Sequence, residues 1–462
     1  MDNSIYQSPF SWRYGSDEMR KVWSVRNTRT LWRRIWAALA EVQVEYGLVS
    51  SDQAAILENK ADEVDLSRSL EMESQLQHDL MAELKIFAEQ CPEVGGILHL
   101  GATSMDIKDN AGVLQQMSAL GLILERSREV LICLAGLIME WADTPLIGFT
   151  HLQPAEPTTL GYRLAQPAQD LLKYHQELAR FLGEIKAKGF TGAVGTSASF
   201  AVLLGEENLP AFQEKISRKL NLAFYPVVNQ TYPRIQDYQL LSLLAGQGAV
   251  LYKLAFDLRL LQSPVLGELA EPFGKNQVGS SAMPFKQNPI KAEKLNSLGR
   301  ILAQLPRTAW DNAAHSLLER TLDDSANRRI VLPEAFLCAD EMLLTLIEIL
   351  SGLQVYEDAV EKNLAEYGPF AATEKVMMLL SKKGADRQEI HQRLRDHSLQ
   401  AWAAVRKGEP NPLPDLVVGD PVFKEYLSVN ELNDAMQGEA YLGDASERAR
   451  ALAERIKDKF PG

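Results

Sequence analysis

Cysteine is nearly absent from this chain. Three occur in 462 residues, Cys91, Cys133 and Cys338, scattered and without metal-ligand spacing, so reduced buried thiols fit better than disulfides or a zinc site. Basic residues are in deficit: 48 Lys+Arg against 61 Asp+Glu leave a net charge of −13, a field that disfavours nonspecific binding to nucleic acid or a membrane. An anionic substrate must therefore meet local clusters of positive charge. The longest apolar stretches, such as 130–139, are too short to span a bilayer. Met1 to Tyr6 lacks the basic region and apolar run of a secretory signal. No dinucleotide fingerprint, P-loop or metal-ligand cluster occurs, so neither nicotinamide, ATP nor metal is implied as a cofactor. What remains is a soluble, cytoplasmic protein, 46% hydrophobic and long enough for two or three domains.

What is abundant is helical periodicity. Apolar residues recur at helical spacing over 16–46, a second helix is predicted over 51–59, and a third from Ser69 carries Gln77-His78-Asp79 until Cys91-Pro92 breaks it. His99-Leu100-Gly101-Ala102-Thr103-Ser104 reads as a turn, with Ser104 or Asp106 opening the next helix. The segments 111–143, 157–188, 237–263, 289–317 and 330–353 then read as long helices with apolar stripes, some on more than one face. Consecutive helices of this length suit an elongated bundle, and the wide stripes suit either a buried interior or subunit association. The predicted class is all-α, with an N-terminal helical domain over 1–104, a central long-helix bundle over 105–353 and a C-terminal helical domain over 354–462.

The stretch that stands out is Gly279-Ser280-Ser281-Ala282-Met283-Pro284-Phe285-Lys286-Gln287-Asn288-Pro289. Asn288-Pro289 is a good helix start, so the positive end of the following helix is expected to face a Gly/Ser loop carrying Lys286, which suits a bound carboxylate or phosphate. A plain flexible linker is the alternative. A second motif, Thr150-His151-Leu152-Gln153-Pro154-Ala155, is placed in the turn before a helix starting near Pro157. A histidine held half in solvent titrates near neutrality, although a structural, hydrogen-bonded role is open to it.

The serine loop resembles the signature of the fumarase/aspartase superfamily of eliminating lyases. Further blocks narrow the resemblance to the adenylosuccinate lyase family of animals and some bacteria: 11–14, His78-Asp79, 99–104, 148–151, Gln230-Thr231-Tyr232 and 319–329. That resemblance implies elimination of fumarate from adenylosuccinate and from the succinylaminoimidazole carboxamide ribonucleotide, SAICAR. It implies Ser280 as the base, His151 as the acid, and Lys286, Asn288, Thr103 and Ser104 as donors to the doubly charged intermediate. By the same resemblance Arg13, Tyr14, Arg320, Ser325 and Arg329 hold the monophosphate region, while Gln230, His78 and Asp79, with Thr158, lie against the succinyl or ribose part. It further implies a homotetramer with each site assembled from three chains.

Glu293 orients His78 or Lys286, or simply complements the helix dipole. The block from Arg320 to Arg329 can also be read as a salt-bridged helix start capped by Asp324 or Ser325. Gln77 and Lys294 stand where the animal enzymes usually carry arginine, so each loses a bidentate fork. The remaining histidines, His99, His175, His315, His391 and His397, read as structural. A weak base such as serine needs a closed, water-poor site, so 268–285 is expected to be a mobile lid with Gly274 and Gly279 as hinges. A sister lyase of the argininosuccinate or fumarase/aspartase type is the alternative, but those substrates carry no phosphate for the arginines to hold. A helical scaffold that has lost activity is the other reading.

Overall fold

The computed structural model describes residues 4–437 and 441–461. In chain order its helices and strands are α1 Asp17–Val22, α2 Val25–Val44, α3 Ser51–Lys60, α4 Leu66–Leu76, α5 Asp79–Gln90, α6 Ser104–Glu140, β1 Pro145–Thr150, β2 Gln153–Thr159, α7 Leu160–Glu184, α8 Ala198–Leu204 and α9 Leu209–Leu220. There follow α10 Ile235–Leu261, β3 Leu269–Ala270, α11 Ile290–Leu302, α12 Leu305–Ala314, α13 Asp323–Ser351, β4 Gln354–Val355, α14 Glu357–Lys382, α15 Arg387–Val405, α16 Leu413–Gly419, α17 Phe423–Tyr426, α18 Val429–Ala435 and α19 Ala445–Lys459. The all-α class holds, since the strands form two small antiparallel pairs, β1 with β2 and β3 with β4. Among the described residues no helix is long and apolar enough to cross a membrane.

Local chemistry sets many of the boundaries. Ser16, Ser24 and Ser50 each accept from an amide one turn into α1, α2 and α3, and Ser50 completes a capping box with Gln53. Trp23 and Ser24 therefore divide the 16–46 run into two helices. The expected third helix is also two: Gln77 ends α4 in the left-handed region at φ 51, and His78 caps α5. The 289–317 run breaks after Leu302, and Pro306 sits in the first turn of α12. The segment expected to start at Ile330 begins at Asp323, which brings Asp323 and Asp324 into the first turn of α13.

The chain forms two compact units, each built from three stretches: 1–127, 174–249 and 297–344 in the first, and 128–173, 250–296 and 345–462 in the second. The first has a core of Trp32, Ile35, Trp36 and Leu39 from α2, Leu80 and Phe87 from α5, and Phe190, Phe200 and Phe212. Phe200 and Phe212 pack with ring centroids 4.9 Å apart. The second contains a separate apolar cluster built from Val376, Leu380, Ile390, Leu394, Leu413, Phe423 and Leu432. In the same unit α7 leaves β2 so close to the end of α6 that a Cβ on Gly161 would lie 2.6 Å from the Ala142 Cα, so only glycine fits.

Candidate active site

His151 is not in a turn ahead of a helix. It is the tip of a β-hairpin: Thr150 pairs with Gln153, leaving His151 and Leu152 as a two-residue connection, with φ of 53 and 59. A tight turn of this hand needs two left-handed residues, which glycine and asparagine supply at little cost. Histidine and leucine supply them only under strain, of the kind that persists where function holds it in place. Both side chains are exposed, Leu152 at 71%. Pro157 lies inside β2, where it pairs with Ile147, and α7 starts three residues later at Leu160. Thr150, Leu152 and Thr158 line a cavity of about 1020 Å³ with Arg163 and Lys253, and Ser280 is not among its lining residues. On the same strand Glu156 is hydrogen-bonded to Glu374 of α14, which lifts its carboxyl to about 6.

The serine loop is tied at its root and open at its tip. Ser280 Oγ accepts from the amides of Ala282 (3.3 Å) and Met283 (3.1 Å), so the hydroxyl oxygen already faces two fixed donors. Asn288 does not cap α11. Its amide group donates to the Gly279 carbonyl at 2.8 Å and closes the loop on itself. Gly279 allows that closure, because a Cβ there would fall 1.8 Å from the Lys286 carbonyl oxygen. Lys286 is exposed, and among the described residues its ammonium has no partner.

The helix end behind the loop is already occupied. Glu271, 2% exposed, accepts from the amides of Lys291 (3.0 Å) and Ala292 (2.9 Å), so the expected anion site at the start of α11 holds a carboxylate of the chain itself. The first part of the expected lid is likewise fixed. Glu268 is buried against Arg163 (2.9 Å) and Asn363 (3.0 Å), and Leu269–Ala270 pairs with Gln354–Val355. Glu293, half exposed, has Arg259 as its charge partner at 3.7 Å, while Lys294 follows it on α11.

The first unit gathers the residues read as the nucleotide end. Asp79 accepts from Lys108 (2.9 and 2.7 Å), from Arg329 (2.8 Å) and from the Leu80 amide (2.7 Å). Burial alone would raise its carboxyl, but Lys108, the Leu80 amide and Arg329 hold it below the usual range. His78 caps α5 through Nδ1, which accepts from Met81, and so presents Nε2 outward. Nearby His99 accepts from the Trp36 indole at 3.1 Å and, chiefly through burial, is lowered to about 4. It is structural, as is His397 against Asp420 at 2.8 Å. Thr103 and Ser104 open α6, and Asp106 fixes that turn by accepting from the Thr103 amide (2.9 Å) while paired with buried Lys188.

The 320–329 block is indeed a salt-bridged helix start. Asp324 accepts from Arg234 (2.7 Å) and Arg320 (2.9 Å), and Asp109 takes both terminal nitrogens of Arg234 at 3.1 and 3.0 Å. Arg328 reaches Asp237 at 2.7 Å and the Tyr232 hydroxyl at 2.6 Å. Gln230 joins this network through its backbone, donating to the Glu319 carbonyl at 3.2 Å. Ser325 sits inside the first turn of α13, and Arg329, largely exposed, extends from the second turn to Asp79. Arg13 and Tyr14 are set farther along the same helix: Gly15 and Ser16 donate to Glu341 (2.9 Å) and Asp340 (2.6 Å), and the Arg13 guanidinium lies 5.8 Å from the Tyr14 ring.

Sequence reasoning missed Lys108, Arg234 and Glu271. A lysine in the opening turns of a helix works against the dipole, and Lys108 was legible on that ground alone.

The family model described as "Lyase" matches residues 14–302, and that described as "Adenylosuccinate lyase C-terminus" matches 369–452. The adenylosuccinate lyase of Saccharomyces cerevisiae is 39% identical over 98% of this chain and 95% of its own. That of Schistosoma mansoni is 39% identical over 90% and 88%. The chain belongs to the adenylosuccinate lyase family. It is accordingly a carbon–nitrogen lyase, and the argininosuccinate and fumarase/aspartase alternative is disfavoured. Among solved structures, a fumarate lyase from Mesorhizobium sp. BNC1 superposes with a TM-score of 0.85 at 27% identity, covering 97% of this chain and 99% of that one. The 3-carboxy-cis,cis-muconate lactonizing enzyme from Pseudomonas putida gives 0.86 at 26%, covering 98% and 100%.

Proposed function

We propose that this member of the adenylosuccinate lyase family eliminates fumarate from adenylosuccinate to leave AMP, and from SAICAR to leave the free carboxamide, AICAR. Ser280 takes the proton from the carbon next to a carboxylate, producing a doubly charged aci-carboxylate. Lys286, Asn288, Thr103 and Ser104 donate to that charge, and His151 protonates the nitrogen as the carbon–nitrogen bond breaks. Arg13, Tyr14, Arg320, Ser325 and Arg329 hold the monophosphate end, with Gln230, His78, Asp79 and Thr158 beside the succinyl or ribose part. Glu293 orients His78 or Lys286, and Lys294 joins the substrate-binding groups.

The observation that carries this reading is the environment of Ser280. Two backbone amides point at its oxygen and Lys286, six residues on, has its charge uncommitted, so an alkoxide has donors waiting for it. The decisive experiment is Ser280→Ala assayed by loss of adenylosuccinate absorbance; undiminished turnover refutes the assignment.

The assembly is a cytoplasmic homotetramer whose sites draw on three chains, with the long helices of the 105–353 domain forming its core and the 1–104 and 354–462 domains completing each subunit. Exposed Phe256 and Leu260 on α10 and Ile301 on α11, at 55, 43 and 43%, support association through these helices. Mixing inactive Ser280→Ala and His151→Ala proteins tests the sharing: activity regained in mixed tetramers is expected, and no recovery refutes it.

A further inference from the structure

We propose that Glu271 is a positioning residue that clasps the two ends of the serine loop and so fixes where its tip presents Ser280 and Lys286. The inference rests on that loop being the catalytic one.

The geometry is reciprocal. One Glu271 oxygen takes the Lys291 amide at 3.0 Å and the other takes the Ala292 amide at 2.9 Å. The Lys291 ammonium returns to the Pro272 carbonyl at 3.0 Å, so each end of the loop holds the other. The Glu271 amide is in turn fixed by Gln262 Oε1 at 3.1 Å, and β3 pins the chain immediately before it.

Three features separate this from an ordinary cap. First, α1, α2, α3, α15 and α18 are each capped by the side chain just before them, whereas α11 is capped from 20 residues away. Second, the carboxylate is buried, and burial pushes its pKa up against the pull of the two amides, whereas a local serine would cap at no such cost. Third, Asn288, the residue placed to cap locally, is instead spent on Gly279 inside the loop. The loop therefore has an outer tie at 271–292 and an inner tie at 279–288, with the serine just beyond the inner one. Opening the outer tie frees both arms and displaces the tip, and a displacement of about 1 Å at a reacting group costs about a hundredfold in rate.

The test uses the full-length assembled enzyme with Glu271→Ala and Glu271→Gln, the glutamine retaining one acceptor oxygen. Expected for Glu271→Ala are a kcat about a hundredfold lower, unchanged affinity for AMP, unchanged subunit assembly, and faster hydrogen exchange at Lys291, Ala292 and the 273–287 segment. Glu271→Gln is expected to fall between, which keeps the test available if the alanine variant fails to assemble. A kcat within about twofold of the parent in Glu271→Gln despite faster exchange overturns the clasp. So does an equal loss of AMP affinity and thermal stability, which marks a merely structural carboxylate. Ser280→Ala is run alongside: if it keeps full turnover the loop reading itself fails, and if it is inactive while Glu271→Ala is not, only the clasp fails.

Discussion

The residues proposed for the two ends of the substrate lie in different kinds of protein. In the first unit the nucleotide-end groups are committed: Asp79 is shared by Lys108 and Arg329, Asp324 by Arg234 and Arg320, and Arg234 is 4% exposed. In the second unit the groups proposed to react carry no buried ion pair: His151 sits on a hairpin tip with positive φ, and Ser280, which accepts from two backbone amides, and Lys286 sit on a loop tied at its base. Holding a phosphate needs fixed positive charge, which a buried ion network supplies at the expense of desolvation. Moving protons needs groups that change protonation state, and a committed partner would suppress that change. The residues proposed for binding are locked in ion networks, and those proposed for reaction are not.

The contrast breaks most visibly at the reacting end. Ser280→Ala and His151→Ala are each expected to lower kcat by about a thousandfold, the range for a removed acid or base, with folding unaffected because both side chains meet solvent. Calorimetry and steady-state kinetics on the same samples check both halves. At the binding end the pattern reverses: Asp324→Asn leaves Arg234 and Arg320 short of a buried counter-charge and is expected to lower the unfolding free energy by about 3 kcal/mol. Its kinetic mark is a raised KM for adenylosuccinate with kcat less affected. Equal effects of Asp324→Asn on both parameters would erase the division.

Two smaller effects sharpen it. Leu152→Gly relieves one left-handed leucine that buries little surface, and is expected to raise the unfolding free energy by about 1 kcal/mol while keeping His151 in place. Urea titration reads that change. The first unit is also expected to weaken in acid. His99 is depressed to about 4 from its ordinary value near 6.5, so the stability tied to its neutral form is complete above pH 6.5 and declines as pH falls toward 4. Replacing His99 by glutamine should flatten the unfolding free energy between pH 6.5 and 5, measured by denaturant titration.

The all-α class and the long helices were legible because 3.6-residue periodicity survives without tertiary information. The β-hairpin was not: Pro154 and Pro157 interrupt its second strand and read as turn signals, yet an isolated two-stranded pair tolerates them at an edge. The break at Gln77 was hidden because a glutamine, not a glycine, takes the left-handed position. Pro306 was an available sign of the α11–α12 division. At the site, the serine loop and the histidine motif were legible as continuous stretches of chain. Glu271 and Arg234 were not, because what each does depends on a partner 20 and 125 residues away; Lys108 offered only the misfit of a lysine against its helix dipole.

The two glycines read as hinges have opposite tolerances. A Cβ on Gly274 would meet nothing nearer than Gln277 Cβ at 3.6 Å, whereas one on Gly279 would strike the Lys286 carbonyl at 1.8 Å. Natural or laboratory variation in this loop thus has one of the two sites to work with: alanine fits at 274, while any heavier residue at 279 pushes the Lys286 carbonyl, and with it the serine loop, out of register.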